Sequence, residues 1–187
     1  MNARSWVPLI PSAPEALGAP TWPDVIVLED GRSVLVRPMR AEDECAEQAF
    51  VASLTAASRF RRFHVGLREL PPALLYEMTH VDQQRHVAFV AQTRDPGDSR
   101  IVADARYVRL ADSGDADFAI AVADDWQRQG LGRALAERLL QHAREHGVLN
   151  LVGDVLWDNR PMLTMVRDMG GRVLAGSAGV MQARFTL

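Results

Sequence analysis

Cysteine is almost missing from this 187-residue chain. Cys45 stands alone, which excludes a disulfide framework and a cysteine metal cluster. Within a helical pattern it reads as a small core residue rather than a nucleophile. A basic excess is lacking too: the formal net charge is −3, without the electrostatic footprint of a nucleic-acid binder. No apolar run approaches the roughly 18 residues that suggest a membrane span. Prolines interrupt the early apolar stretches before the core of a secretory signal can form. The chain therefore reads as cytoplasmic, with neither a membrane nor a nucleic-acid partner. What it does have is 48% hydrophobic and 24% charged residues, a composition that supports one globular domain.

Residues 1–24 hold five of the ten prolines, with Trp6 and Trp22 among them. They form neither a regular helix nor a central strand, and read as a proline-rich arm ahead of a domain over 25–187. In "VIVLEDGRSVLVRP" two strands flank Asp30-Gly31, a dipeptide suited to a hairpin turn. "RAEDECAEQAFVASL", "TAASRFRRFH" and "PPALLYEMTHV" read as three helices. Strands follow over 86–92, 100–111 and 117–123, then a helix over about 130–146. In that helix Leu131, Leu135, Leu139 and Ala143 form one stripe, and Gly147 takes the C-terminal cap. A strand over 149–157, a helix over 159–170 and a strand over 179–187 complete a mixed order with one late strand–helix–strand crossover.

Gly130 and Gly132 open the long helix, and glycine pairs there bring backbone close to something. A dinucleotide fingerprint fails, because Leu135 replaces the third glycine and a six-residue loop separates Gly130 from its strand. A P-loop fails as well, since Arg133 and Ala134 follow Gly132. An ordinary helix start and an anion cradle made of free N–H groups both remain open.

The run Gln127-x-x-Gly130-x-Gly132, after "IAV" and before an amphipathic helix, resembles the acetyl-CoA signature of the GNAT N-acetyltransferases. "DNRPM" one helix later strengthens the likeness. "EQAFVASL", "SRFRRFH" and "ADFAIAVADDWQRQGLG" resemble the acetyltransferase domains of bacterial Pat-type protein-lysine acetyltransferases. The resemblance implies an α+β GNAT fold, a mixed, mostly antiparallel twisted sheet flanked by helices. It implies acetyl-CoA as acyl-donor cosubstrate and a primary amine as acceptor, foremost a protein lysine. A small-molecule amine acceptor and a non-catalytic acyl-CoA sensor are the alternatives. Oligomeric state stays open.

By the same resemblance, backbone groups of Ile120, Ala121 and Val122 pair with the pantetheine arm. The N–H groups of Arg128, Gln129, Gly130, Leu131, Gly132 and Arg133 surround the pyrophosphate. Asn159 contacts the pantetheine region, although its position equally suits a helix N-cap. A backbone N–H near Val122 is the implied donor to the thioester oxygen.

Acetyl transfer to lysine needs a base, because an unperturbed lysine, with a pKa of about 10.4, is almost wholly charged at neutral pH. Pat-type relatives carry a glutamate where this chain has Asp117. One methylene fewer shortens the arm by on the order of 1.5 Å, which points to a water relay. Strand alternation puts Asp117 on the face of Ala119 and Ala121, unless a bulge breaks the parity. Asp115 has the same chemistry and is the lesser candidate. The tyrosine that many relatives use as general acid is Val166 here, and Tyr76 and Tyr107 lie elsewhere in the chain. His86 is an alternative base or a strand cap. "HAREH" spells a zinc-peptidase pattern without a third ligand and reads as polar residues at the end of a surface helix. In "SRFRRFH", Phe60 and Phe63 are expected to pack while Arg59, Arg61 and Arg62 stay solvated, free to meet an acidic protein substrate.

Overall fold

The structure is a computed structural model and describes residues 23–187 apart from Pro96 and Asp112. The arm expected over 1–24 falls almost wholly outside the described residues. Strand β1 begins at Asp24, which forms an ion pair with Arg138.

The elements are β1 (Asp24–Val27), β2 (Ser33–Pro38), α1 (Glu44–Ser53), α2 (Ala56–Phe63) and α3 (Pro72–Thr79). They continue with β3 (His86–Thr93), β4 (Ile101–Arg109), β5 (Asp115–Val122), α4 (Leu131–Glu145) and β6 (Asn150–Leu156). The chain closes with α5 (Arg160–Asp168), β7 (Arg172–Ala175) and β8 (Val180–Thr186). All eight strands form one sheet in the order β1-β2-β3-β4-β5-β6-β8-β7. Only β5 and β6 pair in parallel, as the crossover through α4 requires. This is the expected mixed, mostly antiparallel α+β architecture.

Helix α4 packs on β4 and β5 through the predicted stripe, with Leu131, Leu135, Leu139 and Ala143 at most 1% exposed. Each buried leucine contributes about 1.5–3 kcal/mol. The helix ends in a Schellman motif: Val148 N–H donates to the Ala143 carbonyl and Gly147 N–H to that of Arg144. Helix α1 packs on the other face, against β4 and α3, and buries Phe50, Val51 and Glu47.

Three expectations need correction. Cys45 lies on the solvent side of α1, because the inward stripe of that helix falls on Glu47, Phe50 and Val51. Phe60 is 46% exposed, because α2 turns Arg59 and Arg62 toward the protein. Arg59 is no solvated charge: it donates to the carbonyls of Leu67 and Ala52. Strand β7 escaped the sequence pattern, since it is a four-residue edge strand with little burial.

Candidate active site

The site follows from a short ladder. Strands β5 and β6 pair only through Asp115↔Asn150, Ala116↔Leu151 and Asp117↔Val152. Beyond that point they part, while β5 stays paired to β4 as far as Val122 and β6 to β8 as far as Leu156. The result is a wedge with one backbone edge of β5 unpaired, opening toward the N-termini of α4 and α5. Asp115 clamps its closed end: Asn150 Nδ2 donates to it at 2.6 Å and Arg184 approaches at 3.5 Å. That occupation separates Asp115 from Asp117.

On one side of the wedge lies a cavity of about 480 Å³ lined by Ile120, Val122, Gln127, Arg128, Gly130, Gly132, Arg133 and Asn159, with Pro161, Met162 and Met165. Intrahelical bonding in α4 begins with Ala134 N–H donating to the Gly130 carbonyl. The N–H groups of Leu131, Gly132 and Arg133 therefore have no acceptor in the helix and carry its positive dipole end. Gly130 has φ +82° and Arg128 φ +58°, so the loop curls its N–H groups inward. Gly132 is different. Its φ is ordinary, and a methyl there would meet only Val122, at 3.6 Å. Packing does not demand a glycine at that position, but an approaching anion would. Gln127 locks the loop by donating from Nε2 to the Val122 carbonyl at 3.0 Å. Asn159 caps α5, accepting from Met162 N–H at 3.4 Å, and still borders the cavity. Of the other candidates, Leu131 and Ala121 point their side chains into the core and Gln129 lies outside the lining, so they can offer only backbone groups.

Between this cavity and the other side lies a throat of about 50 Å³, which shares Ile120, Asn159 and Met162 with the cavity and is bordered also by Arg61, Arg62, Phe118, Ala119, Gly153 and Asp154. Beyond it a second pocket of about 520 Å³ is lined by Arg62, Phe63, Met78, His86, Arg106 and Asp117, with Tyr76 and Glu77 nearer solvent. The β4–β5 register runs without a break, so no bulge disturbs the parity of Asp117, Ala119 and Ala121. The registers His86↔Val108 and Val108↔Asp117 place those three residues in one row across the sheet.

The surroundings of Asp117 make its carboxylate more basic than an ordinary one. Partial burial, then repulsion from Asp154, raises its pKa above the usual carboxylate value, against Arg62, the Phe118 N–H and His64. His86 is shifted the other way. Burial and the Arg106 charge push it down to about 4, and Arg106 Nη1 lies 3.3 Å from its Nε2 lone pair. Val166 is fully buried in α5 and presents nothing to the throat. His142 is not merely a surface residue: the half-buried ring meets Tyr107 Oη at 3.1 Å and stacks on His146. No group of metal-ligating side chains occurs among the described residues, and none of their helices is long and apolar enough to cross a membrane.

Sequence reasoning singled out Asp117, His86 and Arg62 but missed Tyr76, Met78 and Arg106, because α3 and β4 bring them to the same pocket only after folding. Met162 and Met165 carried a signal, being three apart on a helix just after Asn159.

The profile of the acetyltransferase (GNAT) family matches residues 59–170, more than half of the chain. The chain belongs to the GNAT acetyltransferase family. Over 143 residues it is 36% identical to acetyltransferase PA5475 of Pseudomonas aeruginosa, covering 76% of this chain and 77% of that protein. It is 28% identical to the acetyltransferase Pat of Mycolicibacterium smegmatis over 92% of its own length, but spans only 51% of that relative. Among solved structures it resembles the GNAT domain of S. lividans PAT, with TM-score 0.81, 27% identity and coverage of 89% and 97%. As a member of this family it is a GNAT-type N-acetyltransferase.

Proposed function

We propose that this GNAT domain transfers an acetyl group from acetyl-CoA to the side-chain amine of a protein lysine, with Asp117 as the base. The observation that carries the reading is the pair of cavities meeting at the throat beside Asp117. One is walled by helix N–H groups that suit a diphosphate; the other has apolar walls ending in a carboxylate. Phe63, Leu74, Met78 and Val108 suit the four-carbon stem of lysine, and Asp117 suits its amine.

The residues fit the coenzyme. The N–H groups of Arg128 to Arg133 would hold its diphosphate, the open edge of β5 at Ile120 to Val122 its pantetheine amides, and Asn159 the same arm. Bound there, it supplies an activated acyl thioester. Asp117 takes a proton from the acceptor ammonium, directly or through one water, leaving a neutral amine. That nitrogen attacks the acyl carbon, forming C–N and breaking C–S; CoA departs as thiolate, and the second amine proton leaves for solvent or the thiolate. A β5 backbone N–H near Val122 would steady the acyl oxygen while it is negative. No protein acid is required, because a thiolate, with a pKa of about 8.5 for an ordinary cysteine, is a weak base.

The decisive experiment mixes the protein with acetyl-CoA and lysine-bearing proteins, peptides and small amines, following free thiol and acetyl-lysine. The chain has no lysine of its own, so acetyl-lysine can arise only on the acceptor. Acetyl-lysine on proteins or peptides supports the reading. Turnover confined to small amines would replace the acceptor class, and CoA binding without thiol release would make the domain a sensor.

A further inference from the structure

The acceptor side holds more charge than a single base needs. Arg106 is 5% exposed; its Nε meets both oxygens of Asp104 at 3.1 Å and its Nη1 the Met78 carbonyl at 3.0 Å. Glu47 closes this set from α1, fully buried, 3.5 Å from Arg106. Neither Glu47 oxygen receives a hydrogen bond, and burial followed by repulsion from Asp104 raises its pKa well above normal. Its surroundings thus favour the protonated form of Glu47, while Asp104 is hydrogen-bonded to Arg106.

Arg62 is left over. From the last turn of α2 it lines both the acceptor pocket and the throat. Its recorded contact is the Phe63 ring, 4.8 Å away, and among the described residues it has no ion pair or hydrogen bond. Its helix is fixed at both ends. Thr55 and Ser58 hydroxyls donate to Asp124 beside β5, while Arg61 reaches Asp158 beyond β6 at 3.6 Å. A half-buried guanidinium bonded to no carboxylate is costly, and the charges of Asp104 and then Asp117 offset that cost only from a distance.

The surrounding groups narrow the choice of counter-charge. His86 on β3 is neutral, Arg61 on α2 is taken by Asp158, and His80 on α3 leans on Glu44 at 3.6 Å. Glu77 on α3 is exposed, and His64 after α2 adds a weak favourable field at Asp117. Asp104 on β4, although bonded to Arg106, is the strongest opposing charge at Arg62, and Asp117 on β5 adds to it; at Asp117, in turn, Arg62 is the largest influence favouring the ionised form. Arg62 is the one arginine among the described residues lining the pocket and throat that forms no ion pair with a carboxylate.

We propose that Arg62 is a positioning residue of the transfer site: the counter-charge that holds the Asp117 carboxylate ionised in the pocket both side chains line. The proposal rests on Asp117 being the base. Without Arg62, Asp117 would face the Asp154 charge with only the weaker field of His64 against it.

The test reads Asp117 directly, by carbon NMR of aspartate-labelled protein, with the resonance assigned from its loss in D117N. In R62Q the Asp117 midpoint should rise by about one pH unit or more, the usual effect of removing an adjacent opposite charge. R62K should keep it near the wild-type value. D154N should lower it, and R62Q/D154N should return it toward wild type. Turnover of R62Q on a lysine peptide should fall more at pH 6 than at pH 8. An unmoved midpoint in R62Q with an unchanged circular dichroism spectrum would overturn the proposal, as would an equal shift in R62K. Wild-type turnover in D117N would instead remove the base itself, an outcome the titration keeps distinct.

Discussion

The two sides of the wedge are built on different principles. The donor side is nearly contiguous: the end of β5, the loop through Gln127 and Gly130, the first turn of α4, and Asn159 one helix later. Its working groups are largely main-chain N–H. The acceptor side draws side chains from α2, α3, β3, β4 and β5, and its working groups are charges. A main-chain grip depends on local conformation, so a short motif encodes it. A side-chain pocket depends on which strands pair, so it exists only after folding.

The sharpest way to break the comparison is to remove charge from one side only. D117N should lower kcat/KM by about 10²–10⁴-fold, the range of general-base catalysis, while calorimetry finds CoA affinity unchanged. Blocking the other side should do the reverse. G132L puts bulk into the mouth of α4, where packing leaves room near Val122. CoA should then bind roughly tenfold more weakly or worse, since hydrogen bonds to a charged group are worth about 1.5–3 kcal/mol each. The Asp117 midpoint should stay where it is.

Asn159 joins stability to binding. N159A removes a cap worth about 1 kcal/mol, so Tm by calorimetry should drop by about 2–4 °C. The smallest effect concerns the two depressed histidines, His86 on β3 and His142 on α4, both pushed to about 4 by burial first. Unfolding returns each toward about 6.5, so between those values the unfolded chain binds more protons. Stability is complete above that window and declines as pH falls through it. Urea titrations from pH 7.5 to 4 should show this slope, and H86Q and H142Q should each flatten part of it.

The sequence carried much of the fold because periodicity is local. The α4 stripe, its Gly147 cap and the Asp30-Gly31 hairpin all rest on neighbouring residues. Strand β7 stayed hidden because its four residues bury too little to leave a pattern. On the donor side, the glycines were legible as a possible cradle, but the reason to separate Gly130 from Gly132 was not: one needs its φ, the other only room. On the acceptor side, Asp117 was singled out by resemblance, whereas its difference from Asp115 needed Asn150 and Arg184 in place. Glu47, Asp104 and Arg106 span 59 positions of chain and meet only across α1 and β4. Arg62 looked like a solvated charge because the pitch of a helix does not tell which way an arginine turns.

Amide NMR during a CoA titration addresses the main-chain grip most directly. The account predicts saturable shifts concentrated in the N–H signals of Arg128 to Arg133 and along Phe118 to Val122. Binding that leaves those amides undisturbed, or no binding at all, would contradict it.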